Sequence, residues 1–284
     1  MKEFRIGKNS FRISLTDIVG VICLIIGAGV LIWTACFVLS DDIWFDELFT
    51  VELAAMPLDR MLPLAAADVH PPLYYILVRI VYITIGKTFG ISVPASAKLT
   101  SLIPYILVFV YLITCIRKRF GLLCSGVSLL MIETMPHMSE FMIEARMYSW
   151  SAFVIMAMFI HAVALICYTS PPGRTDDTVG MERVKNKNKN KNKNKGIDGS
   201  MLHLMMMLIY GIAAMYLHYY ALICAGIIAL IVIAASLYTG RNITTVILCT
   251  VIAVICYIPW IRVLIEQIGQ VSEGYWIQPV TIRT

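Results

Sequence analysis

Charge is what this sequence has least of. Asp, Glu, Lys and Arg make up 14% of its 284 residues, against 59% hydrophobic side chains, and the mean hydropathy is +0.79. A soluble domain carries about 25% charged residues, so a soluble fold is excluded and the chain reads as an integral membrane protein. Organised cysteine is missing too. The eight cysteines (Cys23, Cys36, Cys115, Cys124, Cys167, Cys224, Cys249 and Cys256) sit in or beside apolar runs, with no CxxC pair and no His at metal-ligand spacing. That pattern excludes a disulfide framework and a zinc site and leaves small buried hydrophobes. The formal charge of +5 comes partly from one lysine-rich loop, and no basic surface interleaved with aromatics accompanies it, so no nucleic-acid partner is implied. There is no internal repeat of solenoid period and no pair of broken helices of the inverted-repeat transporter kind. No small-residue cleavage site follows the first apolar run. That run, Ile18 to Leu39, holds 22 uncharged residues, too many for a signal-peptide core, and is expected to remain as an anchor.

What is present is a series of apolar segments. A hydrocarbon core about 30 Å thick asks for roughly 20 apolar residues per helix, and backbone in lipid must satisfy its own hydrogen bonds. After the first run, spans are expected at 96–116, 120–137, 147–168, 201–217, 219–239 and 242–264, seven in all. The stretch 72–86 is too short to span and carries Arg79 at its middle. Tyr75, Arg79, Tyr82 and Gly86 share one helical face, with Leu73, Ile76, Leu77, Ile80 and Ile83 on others, so it is expected to lie flat as a juxtamembrane helix. With 72–86 flat, four basic segments fall on the cytoplasmic side: the N-terminus, 117–121, the Lys/Asn tract at 185–195 and 240–242. The acidic loop 40–71, residues 136–148, residues 217–220 and a last loop from 265 then meet outside. The Lys/Asn tract, within an expected cytoplasmic loop over 171–200, is of low complexity and is expected to be disordered.

Between the first span and the flat helix the chain reads "SDDIWFDELFTVELAAMPLDRMLPLAAADVHPPLYY". Asp46 stands at a loop–helix junction, where a helix cap and a catalytic base both call for a carboxylate. His70, ahead of two prolines, is either a structural hydrogen-bonder or a ligand, with Asp68 placed to orient it. Glu144, Arg146 and Tyr148 open the fourth span. There Glu144 is a first-turn acid or a site acid, and Arg146 either snorkels or grips phosphate. Glu133, His137, Glu140 and Glu144 would line a metal-binding stripe on an unbroken helix, though Pro136 interrupts it; Mg or Mn would suit the oxygen ligands. His218 and Tyr219 either line a pocket or anchor the interface, and Arg262 either clamps phosphate or snorkels. Lys98 is read as structural.

Taken together, "WFDE", "DVHPPLYYILVRI", "RKRFG", "SEFMIEARMY", "HYYAL" and "PWIRVLIEQ…YWI" resemble, in order, the N-terminal half of family 39 type membrane glycosyltransferases, relatives of protein O-mannosyltransferases and of the lipid A aminoarabinose transferase. The resemblance implies an all-α GT-C fold of seven spans in the cell membrane, with juxtamembrane helices in the first outer loop. It implies a polyprenyl-phosphate-linked sugar as donor and a glycan, lipid or protein acceptor outside the cell. Asp46 matches the family's general base, with Glu47 beside it as a helper or a first-turn residue; by the same resemblance His70 is a phosphate ligand and Glu144 an acid facing the site, while Arg146, Tyr148, His218 and Arg262 are carried as substrate-binding candidates. Ile143 stands where relatives usually have Gln. Relatives also continue past the loop that "YWIQP" opens, so the resemblance implies a truncated product or a partner chain supplying the remainder. The competing readings are a non-catalytic membrane component, either a lipid-carrier transporter or an assembly subunit, and an inactive truncated transferase. Transporters hold ionisable residues near the midplane, whereas these gather at one boundary.

Overall fold

The computed structural model describes residues 3–6, 9–12, 14–169 and 199–274, and the Lys/Asn tract lies outside them. A short antiparallel hairpin, β1 (Glu3–Ile6) with β2 (Asn9–Arg12), precedes the helices. All other regular structure among the described residues is helical. Helix α1 (Leu15–Ala35) begins at a reciprocal cap: Asp17 N–H donates to Ser14 Oγ and Ser14 N–H to Asp17 Oδ2, both at 3.1 Å. Helices α2 (Phe45–Ala55) and α3 (Leu58–Ala67) follow, divided at Pro57. Helix α4 (Leu73–Val81) continues through a π turn, Tyr82–Gly86, into α5 (Lys87–Phe89), and Gly90 ends it in the left-handed conformation at φ +68°. Ser92 then caps α6 (Val93–Tyr111), which carries Pro94 in its first turn.

A second π turn, Leu112–Ile116, leads into α7 (Arg117–Glu133), and α8 (Met138–Phe141) is a single turn. Helices α9 (Tyr148–Thr169), α10 (Gly199–Leu217), α11 (Tyr219–Thr239) and α12 (Ile243–Gly274) complete the order. Six helical stretches are long and apolar enough to cross a membrane, so the chain is a multi-pass membrane protein. The longest, Val93–Glu133, takes in both spans expected at 96–116 and 120–137. It is not one rod. Gly121 sits at φ +86°, outside helical geometry, and Ser125 Oγ donates to the Leu112 carbonyl at 2.9 Å, so the chain folds back there. One boundary differs more. Residues 265–274, expected to open a loop, continue α12, because "IEQIGQV" has no breaker strong enough to end a helix already nucleated.

Two compact units emerge. Among the described residues, one comprises 3–153 with Tyr216–Tyr219 and 261–274; the other comprises 154–169, 199–215 and Tyr220–Trp260. In the first unit α1 and the returning arm of α7 touch through glycines. A Cβ on Gly126 would stand 2.3 Å from the Gly20 carbonyl oxygen, and one on Gly20 would stand 2.4 Å from the Leu122 backbone. Small residues let two backbones approach where lipid supplies no hydrophobic drive between helices. Gly126→Ala is therefore expected to destabilise the purified protein by about 1–3 kcal/mol through overpacking. Gly29→Ala, in α1 with nothing within 4 Å of its Cβ, should be neutral or slightly stabilising. Thermal unfolding in detergent checks both, and equal shifts would refute the close contact.

Helix α4 buries part of the face that carries Tyr75, Arg79, Tyr82 and Gly86, together with its neighbours. Tyr74, Tyr75 and Val78 are buried, and Gly86 is buried further along. Tyr74 OH pairs with Ser101 Oγ at 2.6 Å, and Arg79 Nη1 donates to the Ala54 carbonyl at 3.2 Å. The outward positions are Ile80 and Ile83. The tyrosines carry as much apolar ring as polar tip, so they pack while their hydroxyls find partners in α6 and the loop ahead of α4.

Candidate functional site

The site belongs to the first unit and is built from four segments: the start of α2, the turn before α4, the loop between α8 and α9, and the turn between α10 and α11. Asp46 does not cap α2. Trp44 holds the cap position, which makes Asp46 the second residue of the helix and Glu47 the third. The capping function falls to Glu47, whose Oε2 accepts the Trp44 N–H at 3.0 Å. Its other oxygen, Oε1, accepts the Ala145 N–H at 2.5 Å across 98 residues of sequence. Glu47 is thus buried, at 4% exposure, and tied at both oxygens. Asp46 keeps 41% of its side chain exposed, and its free carboxylate oxygens are available for chemistry.

The loop 142–147 positions the cation. Met142, Ala145 and Met147 are fully buried and pin the backbone, while Arg146 N–H donates to the Glu144 carbonyl at 2.7 Å, tightening the bend. Glu144, Arg146 and Tyr148 are left on the other side. The Arg146 guanidinium donates to the Asp46 carbonyl at 3.2 Å and to Tyr148 OH at 3.3 Å, and lies 3.8 Å from Asp46 Oδ2. Its Cζ stands 5.6 Å from the centre of the Tyr148 ring. Its Nε is buried without a partner. Burial works against its charge, but Tyr148, Tyr75 and Asp46 together hold it above the ordinary arginine value.

His70 joins from the turn before α4. Its Nδ1 pairs with Asp68 Oδ2 at 3.1 Å, and Tyr75 OH donates to the same oxygen at 3.2 Å. Burial pushes the Asp68 carboxyl up, but hydrogen bonds from His70, the Val69 backbone and Tyr75 outweigh it and leave Asp68 below the usual range. The His70 ring lies 5.7 Å from the His218 ring, and His218 lies 5.9 Å from Tyr148. Asp46, Arg146, Tyr148, His218, His70 and Asp68 therefore form one connected chain of contacts.

Beside that chain is a cavity of about 580 Å³ whose wall includes Asp42, Trp44, Glu47, Lys98, Glu140, Glu144 and Tyr148. Burial raises the Glu144 carboxyl, an effect Arg146 offsets and Glu47, Asp46 and Glu140 reinforce. Lys98, read from sequence as structural, is 5% exposed, donates to Ser40 Oγ at 2.7 Å and lines this cavity. An ionisable residue within an apolar span is the signal that could have singled it out. Gln267 carried no such signal. It is 1% exposed, donates to the carbonyls of Ala65 and Ala66 at 3.3 and 3.1 Å, and accepts from Tyr219 OH, joining α12 to the end of α3. Tyr219 is occupied there, not at the cavity wall.

Two further groups of sequence candidates are placed as follows. The stripe Glu133, His137, Glu140, Glu144 is broken: α7 ends at Glu133, His137 takes a left-handed backbone at φ +63°, and its Nδ1 pairs with Glu140 at 2.9 Å. Among the described residues no three His, Cys, Asp or Glu side chains gather where a metal ion could be held. Arg262 is 89% exposed, pairs with Glu266 one turn on at 2.8 Å, and is not among the residues brought together here.

The cluster has an expected pH signature. Burial, with His70 and Arg146 close by, pushes the His218 imidazole down to about 4 from its ordinary 6.5. The unfolded chain then binds a proton at this position that the folded chain refuses, so stability falls as pH drops from 6.5 toward 4. The raised Glu144 slopes the opposite way, losing stability as pH rises, so only a difference isolates His218. The stability gap between the wild type and His218→Gln is expected to narrow on going from pH 7 to pH 5. A pH-independent gap in chemical or thermal unfolding would show that His218 is not buried neutral.

The fold and the cluster define a multi-pass membrane protein with a polar pocket at the ends of its helices. No protein-family model, no curated protein and no solved structure matches the chain.

Proposed function

We propose that this protein is a membrane glycosyltransferase that moves a sugar from a polyprenyl-phosphate carrier to an acceptor hydroxyl at the extracytoplasmic face. The observation that carries the reading is the pairing of Asp46, half-exposed, with Arg146, mostly withdrawn from solvent, whose partner Tyr148 lines the neighbouring cavity. A base needs a carboxylate that substrate can reach, and a departing phosphate needs a fixed cation. In this reading Asp46 takes the proton from the acceptor hydroxyl as its oxygen bonds to the sugar's anomeric carbon. The bond from that carbon to the phosphate oxygen breaks, and its electron pair leaves with the polyprenyl phosphate. The result is inversion, and one carboxylate suffices because the phosphate leaves without a proton; hydrolases that need two acids differ in this. Arg146 neutralises the leaving phosphate and His70 hydrogen-bonds to it, Tyr148 walls the pocket with His218 packed behind it, and Glu144 holds sugar hydroxyls. Glu47 acts through the backbone, not on substrate.

The GT-C arrangement needs seven passages, and counting the two arms on either side of Gly121 separately supplies them. The same arrangement puts α4 at the membrane surface on the outer side and the Lys/Asn tract in the cytoplasm of a cell membrane. Reporter tags at residues 90 and 190 test this: 90 should label from outside and 190 from inside, and labelling of 90 from inside would overturn the flat placement of 72–86 and require the arrangement to be redrawn. The activity is tested by reconstituting the chain with radiolabelled sugars on polyprenyl phosphates and following transfer to membrane acceptors. An inert wild type would return the chain to the rival class, a non-catalytic membrane component.

A further inference from the structure

The cavity beside the Asp46 cluster has a floor and a rim of different character. Lys98, buried, and Glu144 and Tyr148, half-buried, make the floor, whereas Asp42, Trp44 and Glu140 on the rim are exposed. Trp44 is a large apolar ring left in the open. It is 53% exposed, and among the described residues its indole makes no hydrogen bond and no other ring packs on it. The fold uses only its backbone here, through the N–H that Glu47 accepts, and leaves the side chain to the cavity. Lys98 is the converse case. Its ammonium is withdrawn from water, donates to Ser40 Oγ, and has no carboxylate within 4.0 Å among the described residues. An ammonium has further N–H donors to give, and leaving them unused in a buried place is costly, so the floor asks for acceptor oxygens from a ligand.

An open indole face, carboxylates and a buried ammonium around one cavity match the surface of a sugar. The face of an aromatic ring is electron-rich, so it attracts the C–H face of a pyranose, whose hydroxyls then project sideways toward polar groups. Asp42 and Glu140 are acceptors for such hydroxyls, and Lys98 is a donor. Other acceptor classes fit less well. A phosphate-bearing lipid headgroup would meet Asp42, Glu140 and Glu144 and be repelled. A peptide held along its backbone wants a strand edge, and this rim is built from the loop ahead of α2 and the single turn α8. The volume, about 580 Å³, lies well inside the range of about 300–1,000 Å³ for small-ligand pockets. A second ring has room beside the transferred sugar.

Taking the transferase reading as its basis, we propose that the acceptor is a neutral glycan, with one sugar ring stacked on Trp44, its hydroxyls held by Asp42 and Glu140, and Lys98 donating to an oxygen deeper in the cavity. The transfer step is unchanged: a hydroxyl of that glycan gives its proton to Asp46 as its oxygen bonds to the anomeric carbon, and the polyprenyl phosphate leaves with the electron pair. Trp44 takes no part in the bond changes. It holds the acceptor.

The test uses the full chain in lauryldimethylamine oxide, a detergent without a sugar headgroup, with helix content verified by circular dichroism. Maltose, cellobiose, lactose and chitobiose are each added, and saturation-transfer NMR reads which of them touches the protein. At least one disaccharide is expected to receive saturation from the wild type and equally from Asp46→Asn, which keeps the cavity. The signal should vanish in Trp44→Leu and survive in part in Trp44→Phe, where a smaller ring still stacks. No transfer to any of the four sugars, or equal transfer in Trp44→Leu, would overturn the glycan site. A kinetic arm follows sugar transfer from the polyprenyl-phosphate donor. There Trp44→Leu is expected to raise the acceptor KM by about tenfold, the scale of a lost stacking contact, with the donor KM unchanged. Transfer to a peptide or to a lipid without a glycan, at an acceptor KM that Trp44→Leu leaves alone, would overturn the glycan assignment and leave the transferase standing. Disaccharide binding at Trp44 by a chain that transfers nothing would keep the glycan site and sink the transferase.

Discussion

Asp46→Asn is expected to leave the protein folded and to lower sugar transfer by about 10²–10⁴-fold, the range a lost general base costs. The folded part of that expectation rests on geometry. The Asp46 side chain is 41% exposed and meets Arg146 only at 3.8 Å, while the shorter guanidinium contact goes to the Asp46 backbone carbonyl, which Asn retains. Exposed ion pairs of this length contribute about 0–1 kcal/mol, so thermal unfolding should move little. Transfer from a radiolabelled polyprenyl-phosphate sugar reads the other part. If Asp46→Asn keeps full activity while Glu144→Gln loses it, the base is Glu144, the carboxyl that burial already raises above its ordinary value.

Glu47→Ala should do the opposite, failing first in stability. The Glu47 carboxylate accepts both the Trp44 and the Ala145 N–H, and the latter bond is buried and joins α2 to the loop that holds Arg146. Removing the acceptor strands two backbone donors, at about 1–3 kcal/mol each, for a loss of about 2–5 kcal/mol. Glu47→Gln keeps one acceptor oxygen and turns an amide donor toward the second N–H, so it should fall between wild type and Ala. Unfolding in detergent ranks the three. A Glu47→Ala protein of wild-type stability that transfers no sugar would reassign Glu47 as the acid at the reacting centre. The adjacent "DE" pair thus divides its labour: one carboxylate is kept free and the other is consumed by the fold.

That division was not legible in the sequence. "WFDE" shows two acids at a helix start, and one of the two open readings put the cap at Asp46, because Asp is a good capping residue. The helix begins at Phe45 with Trp44 as its cap, two residues earlier than that reading, which moves the capping-box position to Glu47. A shift of this size is within the ordinary uncertainty of a helix end, yet it decides which carboxylate is free. The metal-binding stripe failed for a related reason. Spacing of four and three residues describes a face only while the helix lasts, and the helix stops at Glu133.

What the sequence determined by itself is the class: long apolar runs leave a chain in lipid no conformation but the helix, because every backbone donor must find its acceptor within its own segment. The placing of the helices at 15–35, 93–133, 148–169, 199–217 and 219–239 follows from that local rule. The reversal at Gly121, the burial of Lys98 and Gln267, the inward tyrosines of α4 and the meeting of residues 46, 70, 146 and 218 were decided by tertiary structure alone. They depend on which surfaces touch across tens to hundreds of residues, and no periodicity within a segment encodes the identity of its neighbour.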